Sequence, residues 1–176
     1  MTDPRRDARL AGALWLVVIA AGVVSVVTQS GLPRLAFAAN QFGGVCYLGV
    51  TVLLYQLFKP VDTNISLFGA FCGLAGVASG AEGSQRFFIA MVFFGFQIIS
   101  VGYLITRSTL IPRILGVLLL LGGASYVINS FTNFLAPAIG AHLAPFIIPV
   151  AILGEGALTL WLLVKGVNVS RVPAVD

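Results

Sequence analysis

In the middle of the apolar stretch Phe146–Val164 stands one carboxyl group, Glu155, with Ile, Leu, Val, Ala and Trp making up most of its surroundings. A charged side chain at the centre of a bilayer costs about 2.5–3.5 kcal/mol on insertion scales, so acids placed there face a bundle interior or a wet cavity. No Lys or Arg of the chain falls at the same depth, and Glu155 is expected to be protonated at neutral pH. Two chemistries fit such a group. It is either a site for a proton, an ion or a small solute, or a neutral acid that ties its helix to a neighbour.

Polar side chains on other apolar runs extend the candidate. Gln97 lies at a similar depth, with Ser100 one turn further on, and Thr159 follows Glu155 at i,i+4 on the same helical face. Ser125, Asn129 and then Thr132 or Asn133 make a stripe at i, i+4 and i+7 or i+8. Asn40 and Gln41 open another run at the same outer level. Glu155, Gln97, Asn129, Ser125 and Thr159 are the candidate intramembrane site. Asn40, Gln41 and Asn133 are a candidate outer vestibule narrowing toward Glu155. The same residues would equally serve as interhelical hydrogen bonds around a closed interior.

Other chemistries lack their parts. The one histidine, His142, falls in the expected outer loop between the fifth and sixth runs, so two axial histidines for a haem cannot come from one chain. No metal centre or other cofactor is expected, and no nucleophile and base can be assembled within the apolar runs. No catalytic residue is assigned, and an enzyme is the most distant of the readings. Cys46 and Cys72 lie inside apolar runs and read as small hydrophobes. Phe87, Phe88, Phe93, Phe94 and Phe96 spread around one helix, which suits lipid and core contacts.

The elements that must position these residues follow from composition. Of 176 residues, 59% are apolar and 9% charged, against about 25% charged in soluble domains. The mean hydropathy is +1.02. The solvent of this chain is mostly lipid. Its ten Lys and Arg sit at the ends of apolar runs instead of on one basic face, which excludes nucleic acid as a partner. The runs are Leu10–Gln29, Ala36–Phe58, Asn64–Gly80, Ser84–Thr106, Pro112–Leu135 and Pro145–Gly166. Most can cross a core that takes about 20 residues, and the third is short. The first exceeds the apolar length of a signal peptide and reads as a retained helix.

Short connections make consecutive helices antiparallel. The expected fold is all-α, an up-and-down transmembrane bundle of six helices forming a single domain over residues 1–176. Arg5, Arg6, Arg9, Lys59, Arg107, Arg113, Lys165 and Arg171 share one side, whereas Arg34 and Arg86 lie on the other. An excess of Lys and Arg marks the cytoplasmic side, so both termini are expected in the cytoplasm of a bacterial plasma (inner) membrane. Gly69, Gly73, Gly76 and Gly80 give the third run small-xxx-small spacing for close backbone packing. That face would serve the bundle itself, a second copy of the chain or another membrane protein.

Tyr103–Arg107, Ile111–Leu120, Gly154-Glu155 and Leu160–Val167 together resemble a bacterial membrane family, domain of unknown function 4386, most specifically over Phe93–Val167. Arg9–Gly12 and Leu57–Val61 are similar to its first helix start and second helix exit. The resemblance implies a multi-helix integral membrane protein and brings no established activity. It also implies longer outer segments than Ser30–Leu35 and Ala81–Gly83, so an outer cover present in relatives would be simplified or lost here. Asn129 stands where relatives tend to be acidic, which weakens a charge-based role at that point.

The leading expectation is a small multi-pass protein that binds or passes a small solute or proton around Glu155. The alternative is a non-catalytic scaffold or assembly subunit packing through its glycine-rich third helix.

Overall fold

A computed structural model of the chain describes residues 3–80 and 84–168. Within them run six helices: α1 Pro4–Thr28, α2 Pro33–Phe58, α3 Thr63–Ser79, α4 Ser84–Arg107, α5 Arg113–Leu135 and α6 Pro137–Val164. Arg171, and most of the turn expected between α3 and α4, lie outside the described residues.

Local chemistry explains most of the helix ends. Asp3 caps α1 by accepting from the Arg5 amide at 3.0 Å, with Pro4 in the first turn. Asp62 caps α3 through the Ile65 amide at 3.0 Å. Several ends differ from the sequence expectation, among them the starts of α1, α5 and α6. α1 starts at Pro4 instead of Leu10, because the capped turn carrying Arg5, Arg6 and Asp7 is helical although it has no apolar pattern. At the next such end, α5 begins at Arg113 behind Pro112, one residue later than expected, and Ser108 closes α4 by bonding the Ile105 carbonyl at 3.2 Å. α6 begins at Pro137, and Pro145 and Pro149 are carried inside it. Membrane helices tolerate internal proline because neighbouring groups re-satisfy the freed carbonyls. His142 is therefore on α6, not in a loop, with Nδ1 2.7 Å from the Ala138 carbonyl.

Each helix packs against its successor, and α6 returns to α1, which closes an up-and-down ring. The tightest seam is between α4 and α5. A Cβ added at Gly102 would lie 2.8 Å from the Gly116 carbonyl oxygen, and one at Gly123 would lie 2.6 Å from that of Gly95. The glycines sit seven residues apart on each helix, on one face, and in lipid such backbone contact is a main source of association. Inside the ring, Trp15, Tyr47, Val50, Phe58, Ile98, Leu119 and Leu158 form part of one continuous core.

The outside is the reverse of a soluble protein's. Val26, Val45, Phe71 and Leu153 are each more than half exposed, on four different helices. A soluble monomer rarely shows so much contiguous apolar surface. Five of the helices are long and apolar enough to cross a membrane, and α3, with 17 residues, is the short one. The two ends of the described residues meet on one side: Gly166 lies against Arg5 and Arg9, and the Asn168 amide donates to the Leu110 carbonyl at 3.1 Å.

Candidate functional site

The Glu155 carboxyl is held by a residue on the neighbouring helix. Tyr126 of α5 donates its hydroxyl proton to Glu155 Oε1 at 2.6 Å. The reach is set by close α5–α6 packing, where a Cβ at Gly154 would lie 2.8 Å from the Leu118 carbonyl oxygen. Trp15 of α1 is 2% exposed, and its buried indole N–H makes no hydrogen bond. That N–H lies near the Glu155 carboxyl with no hydrogen bond between them. Tyr47 of α2 is buried within electrostatic reach of both Glu155 and Tyr126. Its ring meets Trp15 edge-on at 6.3 Å and Phe94 of α4 at 4.8 Å. Five helices thus contribute one residue each to an aromatic chamber with a single acid.

An ionised carboxyl only accepts hydrogen bonds, whereas a tyrosine hydroxyl and an indole N–H both donate. The Tyr126 bond, with the Trp15 N–H close by, suits the carboxylate form of Glu155. Burial among aromatic rings, with no formal positive charge in the chamber, disfavours that same charged form. The site holds these two tendencies in opposition.

The other expected residues are placed elsewhere. Gln97 is buried and donates through Nε2 to Thr51 Oγ1 at 2.9 Å, not to Glu155. Thr159 donates to the main-chain carbonyl of Glu155 at 2.7 Å, and Ser125 to that of Leu121 at 2.8 Å. Both follow the habit of helical Ser and Thr to bond the carbonyl four residues back. Asn129 is buried one turn from Tyr126 and accepts from Asn133 Nδ2, at 2.8 Å through its carbonyl and 3.3 Å through Oδ1.

Asn133 also lines a cleft of about 440 Å³ with Gln85, Phe88, Phe134 and Pro137. Asn40 is half-buried and Gln41 exposed on α2. α2 packs mainly against α1 and α3, and α5 against α4 and α6, so Asn40 and Gln41 flank different neighbours from Asn133.

On α3, a Cβ at Gly69 would meet Ser100, one at Gly73 the Gln97 amide, and one at Gly76 the Phe94 ring. These three glycines face α4, stepping down it one turn at a time. Gly80 ends the helix with φ 71°. Cys46 and Cys72 are free thiols. Among the described residues, no three His, Cys, Asp or Glu side chains come together as a metal site.

Tyr126, Trp15, Tyr47 and Thr51 are the participants that sequence reasoning passed over. A signal for the first three existed. Each is an aromatic residue with a polar tip set within an apolar run, where that tip needs a partner.

The fold and the site define a small multi-pass membrane protein, all-helical, with one acid enclosed by its helices. Residues 83–166 match the family model described as Domain of unknown function (DUF4386), which confirms the resemblance of the C-terminal half. The chain is also 26% identical over 133 residues to a protein of Archaeoglobus fulgidus described as "Uncharacterized protein", a match covering 70% of this chain and 78% of that one. No solved structure matches. The family match spans α4 to α6 and so includes Gln97, Tyr126 and Glu155, while Trp15 and Tyr47 lie before it.

Proposed function

We propose that this protein binds and passes a proton, alone or with a small solute, at Glu155. Tyr126 and the Trp15 indole are the donors that stabilise the deprotonated state. The observation that carries the reading is the 2.6 Å bond from Tyr126 to Glu155 beside a buried indole N–H with no partner of its own. A purely structural tie would need one donor. A second, unspent donor near the same carboxyl is what a group needs when it must at times carry a full charge in a dry interior. Proton uptake then removes the charge, and the aromatic walls favour the neutral state. Gln97 and Asn129 support this chamber as helix ties. The location proposed is the plasma membrane with both termini cytoplasmic, supported by the Lys and Arg on the side of the chain ends.

Purified protein in lipid vesicles, with a pH-sensitive dye inside and an imposed membrane potential, provides the test. The parent should acidify or alkalinise the lumen faster than empty vesicles, and Glu155→Gln should lose that excess while remaining folded. Equal rates for parent, variant and empty vesicles would refute the proton path and leave the scaffold reading ahead.

A further inference from the structure

In the half of the bundle nearer Lys59 and Arg107, the helices α2, α3 and α4 form a partly open cavity of about 10 Å³ whose polar lining includes Thr51, Ser66, Gln97 and Ser100. Gly69 makes the room: a Cβ there would lie 3.1 Å from Ser100 Cβ and 3.7 Å from Ser100 Oγ. Gln97 is 3% exposed, and its Oε1 is buried with no hydrogen-bond partner. Turning the amide over would let Thr51 donate to Oε1 but would strand Nε2 instead, so one end of this side chain is unsatisfied in either orientation. Such a group in a lipid-embedded interior is costly unless something bonds to it. Ser66 and Ser100 spend their protons on the Tyr55 and Phe96 carbonyls at 3.0 and 2.8 Å. Their oxygens retain lone pairs that can accept.

We infer that this cavity is a binding site for one water molecule, which donates to Gln97 Oε1 and to a serine oxygen and so links α4 to α3 or α2. Space of roughly 10–15 Å³ is what one water requires, together with two to four polar partners, and the cavity meets both conditions. It is too small for an organic solute, and its lining carries no formal charge to hold an ion. The inference stands on geometry separate from that of Glu155 and does not depend on the proposed function.

Magic-angle-spinning NMR of the protein in bilayers tests it through magnetisation transfer from water protons. The Gln97 side-chain amide and Ser100 Cβ should receive water magnetisation, while Ile105 and Leu119, buried away from the cavity, do not. Gly69→Ala, whose methyl enters beside Ser100 and leaves Gln97 in place, should abolish the transfer to Gln97. Gln97→Leu should abolish it at Ser100. Transfer to Gln97 and Ser100 no greater than to Ile105, or undiminished transfer in a folded variant of either kind, would overturn the site.

Discussion

Replacing Tyr126 by Phe removes one oxygen and leaves the ring in place, so it isolates the hydrogen bond to Glu155. At 2.6 Å the contact lies in the range of charge-assisted O–H···O bonds, about 2.5–2.7 Å. Interhelical hydrogen bonds in a membrane average about 0.6 kcal/mol and reach about 1.7, whereas bonds to charged groups are worth about 1.5–3 kcal/mol. The quantity to measure is the coupling energy from a cycle of parent, Tyr126→Phe, Glu155→Gln and the double variant. Reversible unfolding in mixed detergent micelles is followed by loss of helical circular dichroism. A coupling of about 1–2 kcal/mol is expected, since the amide of Gln can still accept a weaker bond from Tyr126 and part of the energy survives in the single variant. Additive effects, with a coupling indistinguishable from zero, would refute the pairing of Tyr126 with Glu155. With it would go the reasoning that places an acid between two donors.

Four further outcomes follow from the packing and the charge distribution. Gly102→Val drives a side chain into the α5 backbone and should destabilise the bundle by more than about 3 kcal/mol, beyond ordinary overpacking. Gly22→Ala, with nothing within 4 Å of the added Cβ, should leave the unfolding midpoint unchanged or raised. Gly73→Ala pushes against the Gln97 amide and should weaken its bond to Thr51, at a cost of about 1 kcal/mol that shrinks when Thr51 is already Val. In a background lacking Cys46 and Cys72, cysteines at the exposed positions Gly31 and Ala138 should react with an impermeant reagent added outside cells, and those at Pro60 and Thr109 should not. The opposite labelling pattern would invert the proposed orientation.

Depth was legible in the sequence and rotation was not. At about 1.5 Å per residue, the position of Glu155 within its apolar run is enough to place it near mid-membrane, and the same arithmetic set Gln97 level with it. Which way each side chain points depends on the angle around the helix. Helices that are apolar nearly all round offer little asymmetry from which to read that angle. Ser125, Asn129 and Asn133 make a visible polar stripe, yet the partner of Glu155 is Tyr126, about 100° around α5 from Ser125. Trp15 comes near Glu155 only because the ring closes α1 onto α6, which no spacing within one run announces. Likewise the glycines of α3 were conspicuous because they are crowded together. Gly95, Gly102, Gly116 and Gly123, spaced by seven, mark the closest backbone approach and were easily overlooked. At α6, Pro145 was a good helix opener by its chemistry, but Pro137 is one as well and comes first.

The central claim is that Glu155 changes protonation inside the helix ring with Tyr126 as its donor. pH-difference infrared spectroscopy of the protein in bilayers observes that event at the carboxyl itself. A protonated-carboxyl C=O band should titrate in the parent, vanish in Glu155→Gln, and shift to higher frequency in Tyr126→Phe as the hydrogen bond to Oε1 is lost. A parent with no titrating carboxyl band assignable to Glu155, across the pH range in which the protein stays folded, would contradict the account.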